Sequence, residues 1–205
     1  MKYNTILFAT TNSAKVTRIA NFLQKPELKI LSLSDFDYSI VEPEENQDSP
    51  VKIAENKAKF YWKQLKDKYP VLTQDDTIQF DDVEKEDEPG LNIKEPIVRK
   101  YGKFSDQFAI KFYTNLAYKY GGQINMSFNY GHALYNGKEL RSRSSKLTCR
   151  LVNTVSKQLI ENYFLASIIK VQIDGEWKYY SELSDQELVK IDEPLSNSVK
   201  TLLEI

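Results

Sequence analysis

Apolar positions come in short blocks early in the chain and in longer periodic stretches later. Thr5 to Ala9 is a compact apolar run, which predicts a buried strand. The polar Thr10-Thr11-Asn12-Ser13 follows, rich in residues that cap helices, and Val16, Ile19, Ala20 and Leu23 then recur at helical spacing. Lys29 to Leu33 predicts a second strand, and Ser34 to Asp48 is acidic and loop-like. Ser49-Pro50 has the form of an N-cap followed by proline at the first helical position. Val51, Ala54, Ala58, Tyr61, Trp62 and Leu65 then mark one face of a long helix that Pro70 stops. Val71 to Val83 starts as a strand and turns acidic.

The second half changes character. The run from Asp81 to Glu88 predicts a solvated loop. Phe104, Phe108, Phe112, Leu116 and Tyr120 fall four apart and predict one helical stripe, used for core or dimer packing. Ile124 to Val152 predicts a hairpin with Asn136-Gly137 at its tip, a type I′ signal. Tyr163 to Tyr180 predicts two more strands around Asp174-Gly175, and short helices from Ser184 and Leu195 close the chain. Strands interleaved with helices early and a meander late predict an α/β fold, a mixed sheet flanked by helices. With no repeat, low-complexity tract or linker in view, residues 1–205 are expected to form a single domain.

Composition narrows the chemistry. The 205 residues carry 28 basic and 29 acidic side chains, a net charge of −1 that argues against a nucleic-acid partner. A single Cys excludes an intrachain disulfide and a Cys-cluster metal site, and a single His excludes any site needing two imidazoles. The first glycine is Gly90, so no glycine-rich phosphate loop or dinucleotide fingerprint precedes it. The apolar run Ile6–Ala9 is too short for a membrane span or a signal-peptide core. No membrane partner is expected, and a reduced cytoplasmic setting is.

Candidate chemistry lies in three places. The first is Thr10 to Lys15, between the first strand and the first helix, where free N–H groups and the positive end of the helix dipole attract anions. Lys15 is electrostatically misplaced in that first turn, which suits either a bound phosphate or an ordinary capped helix with a lysine facing solvent. The second is Asp75-Asp76. Neighbours on a strand point to opposite faces, so one carboxylate can face a cleft. Carboxylate oxygens suit Mg²⁺ and can orient a water; the plainer reading is a strand end entering the acidic loop. The third is Glu44 to Glu55, where Asp48 or Glu55 could share a cation with Asp76 or simply favour the helix start.

Taken in order, Thr10-Thr11-Asn12-Ser13-Ala14-Lys15, Glu55-Asn56-Lys57, Asp75-Asp76-Thr77, Pro89-Gly90 and Tyr180-Ser181-Glu182-Leu183-Ser184 resemble the motifs of the inosine triphosphate pyrophosphatase family. These are house-cleaning hydrolases of non-standard purine nucleoside triphosphates. The family patterns are T-G-N-x-x-K, E-N-A, D-D-S-G or E-D-T, P-G and F-A-E-L-S, and the resemblance spans nearly the whole chain. It implies an elongated mixed, twisted sheet and a homodimer. It also implies Mg²⁺-dependent cleavage of a nucleoside triphosphate to monophosphate and pyrophosphate. On the matching positions, Thr10, Asn12 and Lys15 inherit phosphate binding, and Asp76 inherits water activation or metal binding. Asp75 beside it is a further metal candidate. Thr77 and Lys59 are placed with the substrate. Counting back from Glu55 puts the remaining metal-binding acid at Asp48, or at Glu45 across a gap.

The departures have consequences of their own. Thr11 replaces the motif glycine, and Phe60 stands where the substrate lysine after E-N-A is usual, with Lys59 adjacent. Phe164-Leu165-Ala166-Ser167 lacks the aspartate of the family's F-G-Y-D-P, and the terminal S-H-R that contacts the base falls near Asp192-Glu193-Pro194. The lone His132 lies near the Asn136-Gly137 hairpin, is expected to be far from that slot, and reads as structural or surface. Losing designed donors removes discrimination between substrates. Two expectations follow: a triphosphate pyrophosphatase with altered or relaxed base choice, or a catalytically weak homologue that binds nucleotides or a partner protein.

Overall fold

The computed structural model describes residues 2–36, 41–44, 48–65, 68–89, 92–161 and 163–205. The elements run β1 (Thr5–Phe8), α1 (Ser13–Leu23), β2 (Lys29–Leu31), α2 (Pro50–Gln64), β3 (Val71–Phe80), α3 (Glu95–Tyr101), α4 (Asp106–Lys119), β4 (Gln123–Tyr135), β5 (Leu140–Val152), β6 (Ile169–Ile173), β7 (Glu176–Tyr179), α5 (Asp185–Ile191) and α6 (Glu193–Leu203). The strands form one seven-stranded sheet in the order β2-β1-β3-β4-β5-β6-β7. β1 pairs in parallel with β2 and β3, whereas β5, β6 and β7 pair antiparallel, so the sheet is mixed. This is the α/β architecture the hydrophobic pattern predicts.

The opening βαβαβ stretch sets up everything that follows. The crossover from β1 through α1 leads outward to β2, and the crossover through α2 returns past β1 to β3. Right-handed crossovers running in opposite directions place their helices on opposite faces of the sheet. Between them Ile6, Leu7, Val71 and Leu72 are fully buried. The start of α2 is fixed as its sequence predicts: Ser49 Oγ accepts the Lys52 N–H at 3.4 Å and Pro50 occupies the first turn. α2 lies close on β4 because its contact face is small. Ala54 and Ala58 pack with Ala133, and a Cβ at Gly131 would stand 2.2 Å from the Pro50 carbonyl carbon.

By contact the described chain divides into two compact units. One comprises residues 1–76, 129–146 and 192–205; the other comprises residues 77–128 and 147–191. In the second unit, α4 buries Ala109, Tyr113, Leu116 and Ala117. The expected stripe is therefore rotated. Phe108 and Phe112 sit on its flank, half-buried, with Phe108 stacked on Tyr101 at 4.7 Å and Lys100 over Phe112. Phe104 lies before the Ser105 N-cap, and Tyr120 lies past the last turn.

Turn chemistry differs from expectation in one place. At the β4–β5 tip only Gly137 has a positive φ, so the turn is not type I′. Asn136 Oδ1 instead accepts the N–H groups of Lys138 and Glu139, at 3.0 and 2.8 Å. The type I′ signature, two successive residues with positive φ, belongs to Asp174 and Gly175 between β6 and β7. The acidic run is a mostly exposed loop as expected, tied down at its end. Glu88 accepts the Phe80 N–H, and Asp87 accepts from Lys119 Nζ at 2.8 Å and Tyr120 Oη at 2.6 Å.

Candidate active site

The junction of β1 and α1 is built by its own side chains. Thr10 Oγ1 accepts the Asn12 N–H at 3.1 Å, and Asn12 Oδ1 accepts the Lys15 N–H at 3.3 Å. Asn12 is thereby the cap of α1, and the turn leads straight into the helix without a glycine. Capping leaves Lys15 in the first turn with its side chain directed to β3. There its Nζ donates to Asp76 Oδ1 at 2.7 Å. Burial pushes the Asp76 carboxyl upward in pKa. The charge and hydrogen bond of Lys15, the nearby Arg18 charge and a bond from Gln74 outweigh it, so the net shift is downward. Asp76 is an ionised carboxylate near neutral pH, with about a third of its side chain open to solvent.

One turn beyond Lys15, Arg18 extends the cluster. Its guanidinium grips Asp192 with Nε to Oδ2 at 2.7 Å and Nη2 to Oδ1 at 2.5 Å. Asp192 occupies the N-cap position of α6 yet makes no capping bond; its carboxylate serves Arg18 instead. Arg18 Nη1 also lies 3.5 Å from Tyr130 Oη, with its Cζ 5.5 Å from the Tyr130 ring centroid. Tyr130 in turn stacks on His132, two residues along β4 and on the same strand face. His132 is fully buried, with Nε2 at 3.2 Å from Ser145 Oγ, and its Nδ1 has no hydrogen-bond partner among the described residues. Burial first, then the Arg18 and Lys15 charges, outweigh Asp76 and push its pKa down to about 4.

The structure thus brings Thr10, Asn12, Lys15 and Asp76 together and adds Arg18, Tyr130, His132 and Asp192. His132 was expected to be structural or at the surface; it is buried, and folding carries it into the electrostatic neighbourhood of Lys15, Arg18 and Asp76. Arg18 was missed from the sequence; its place one turn after Lys15 on the same helix face is the signal that points to it. The partnership of Tyr130 and His132 carried no local signal.

Asp75 does not join them. Its Oδ2 accepts Lys57 Nζ of α2 at 2.6 Å, so the two aspartates serve helices on opposite faces. Asp48 is exposed just before α2, Lys59 is exposed on α2, and Thr77 is half-buried, the first residue of the second unit. Glu45 and Gly90 lie outside the described residues. Among the described residues no three acidic, His or Cys side chains converge on a metal position. Magnesium can bind through one or two carboxylates while substrate phosphates and waters complete its shell. Asp76 supplies one such ionised carboxylate.

Fold and site together define an α/β protein whose first helix starts at a charged junction, with a lysine in that turn paired to a strand aspartate. The chain matches the Ham1 family over residues 6–116, more than half its length, and it belongs to that family. Solved structures share the fold across almost the entire chain. A HAM1 protein from Coxiella burnetii is similar with a TM-score of 0.71 at 20% identity, over 98% of both chains. The Ham1 protein of Staphylococcus aureus gives 0.68 at 18% identity, again over 98% of both. A nucleoside-triphosphatase / dITP/XTP pyrophosphatase from Mycobacterium abscessus gives 0.64 at 17% identity, covering 98% of this chain and 100% of that one. No curated protein sequence matches this chain.

Proposed function

We propose that this protein hydrolyses a nucleoside triphosphate between the α and β phosphates, releasing nucleoside monophosphate and pyrophosphate, with Mg²⁺ as cofactor. The observation that carries the reading is the Lys15–Asp76 pair at the capped start of α1. Membership of the Ham1 family supports it, as does likeness in fold to a dITP/XTP pyrophosphatase.

The chain's own residues perform simple electrostatic work. At rest Lys15 is neutralised by Asp76. An arriving triphosphate offers Lys15 a denser negative charge at the positive end of α1, where the helix dipole adds to the attraction. Lys15 Nζ exchanges Asp76 for phosphate oxygens, with Thr10 and Asn12 shaping the turn around them. That exchange frees an ionised carboxylate beside the phosphates. Asp76 then orients a water in line with the bond to be cleaved and holds the proton that water gives up. Asp76 is also the residue that would hold Mg²⁺, and the ion would supply charge neutralisation at the phosphates. Arg18, fixed by Asp192, keeps a second positive charge near Asp76 and so keeps that carboxylate ionised.

Base choice is altered or relaxed relative to the inosine triphosphate pyrophosphatase pattern in this reading. Asp192 stands near where the family's base-contacting histidine and arginine fall, and its carboxylate is committed to Arg18. The same observation favours the second reading, a weakly active homologue that binds nucleotides. The protein is expected to act as a homodimer in the cytoplasm, which sizing by light scattering and cell fractionation test.

A screen of standard and deaminated nucleoside triphosphates with Mg²⁺, scored for pyrophosphate release, decides between the two. The enzyme reading expects release from at least one triphosphate and loss of at least a hundredfold in Asp76→Asn, with an unchanged circular dichroism spectrum. Equal behaviour of parent and variant on every triphosphate overturns it.

A further inference from the structure

Aspartate is disfavoured within strands, so two in succession in β3 call for two explanations. Asp76 has one in Lys15. Asp75 has a different environment: its side chain is 14% exposed, and its partner Lys57 is 18% exposed. An ion pair so far removed from water is a poor source of net stability, because partly desolvating two charges offsets much of their attraction. Its geometry suggests another use. Asp75 Oδ2 takes Lys57 Nζ at 2.6 Å, and Asp75 Oδ1 takes the backbone N–H of Asp76 at 2.8 Å. One carboxylate therefore joins the α2 ammonium to the peptide unit that carries Asp76.

We propose that Lys57 and Asp75 are positioning residues for Asp76: the lysine fixes the Asp75 carboxylate, which fixes the Asp76 peptide and so aims the Asp76 side chain at the α1 junction. The proposal rests on the reading of Asp76 as the working carboxylate. The peptide between the two aspartates lies within β3; its N–H is held by Oδ1, and Lys57 keeps that acceptor in place. Charge-assisted bonds of this length are strong and directional. A pivot of the peptide swings Asp76 away from Lys15, and misplacement of a reacting group by about 1 Å can cost on the order of a hundredfold in rate. α2 can do this work because its own place is fixed independently: Thr73, on the same strand face as Asp75, donates through Oγ1 to the Ala54 carbonyl at 2.7 Å. Neither Lys57 nor Asp75 needs to touch substrate for this role.

The test compares the parent with Lys57→Met, Lys57→Arg, Asp75→Asn and the double variant Lys57→Met/Asp75→Asn. Each is checked for parental circular dichroism and assayed for pyrophosphate release. Positioning expects kcat to fall at least tenfold in Lys57→Met with KM within twofold, and Lys57→Arg to recover most of it. Asp75→Asn should match Lys57→Met, and the double variant should be no worse than either single one. A folded Lys57→Met with parental kcat overturns the proposal, as does a loss carried by KM. Amide hydrogen exchange at Asp76 supplies a readout that needs no turnover: it should quicken at least tenfold in Lys57→Met, and an unchanged rate also overturns the proposal. If the parent hydrolyses no triphosphate, the reading of function fails by itself, and exchange at Asp76 alone decides whether Lys57 and Asp75 hold that peptide.

Discussion

Lys15 and Asp76 are 61 positions apart, and each stands out locally, a lysine in a helix first turn and one of two successive strand aspartates, but nothing local pairs them. Together they form a pair with about a third of each side chain exposed. Ion pairs so open to water contribute only about 0.5–1 kcal/mol, because solvent screens them. Lys15→Ala should therefore leave the denaturation midpoint nearly unchanged while lowering pyrophosphate release at least a hundredfold, as steady-state assay beside urea unfolding will show. A comparable loss of stability and activity would mean that the lysine is structural. His132 behaves in the opposite way. Its ordinary pKa of 6.5 falls to about 4 in the folded state, so the unfolded chain takes up the proton first. The stability it contributes is complete above pH 6.5 and is lost as pH falls from there toward 4, by about 3 kcal/mol in all. Urea unfolding at pH 7 and pH 4.5 should show this drop in the parent, and His132→Gln should flatten it.

Helices and strands here are placed by close contact as much as by pattern. Gly131 is the sharpest case. An added methyl group meets the Pro50 and Val51 backbone at 2.2–2.3 Å, and backbone cannot turn aside as a side chain can. Gly131→Ala should lower unfolding free energy by about 3 kcal/mol or more, or prevent folding. Gly175→Ala meets no atom within 4 Å and bears only the strain of a φ of +89°, about 1 kcal/mol. Thermal unfolding of the two variants ranks them. The caps and strand cores were legible from local sequence: Ser49-Pro50 begins α2, Asn12 caps α1, and the Ile6–Phe8 run is buried. The face of α4 was not. Large residues four apart gave the strongest periodic signal, but of these only Leu116 is buried; it shares the buried side with Ala109, Tyr113 and Ala117, since close packing also needs small residues.

The unit holding the site is assembled from three stretches of chain, residues 1–76, 129–146 and 192–205, and all three contribute to the charged cluster. Lys15, Arg18 and Asp76 come from the first, Tyr130 and His132 from the second, and Asp192 from the third. A ligand bound there stabilises the folded state by mass action, about 2.7 kcal/mol at a hundredfold excess over its Kd. Mg²⁺ with a non-hydrolysable triphosphate should therefore raise the melting temperature of the parent by several degrees. The rise should shrink in Lys15→Ala, whereas Mg²⁺ alone should have little effect, since one carboxylate makes a weak cage.

The order of chemical motifs along the chain, the α/β alternation and the charged turn before α1 were all present in the amino acids, because caps, periodicity and charge act over a few neighbouring residues. Which aspartate meets which lysine was not, and neither was the approach of His132 and Asp192 to the first helix. Those depend on strand order and on the opposite faces that two oppositely directed crossovers cover, and such contacts join residues too distant in the chain to leave a local trace.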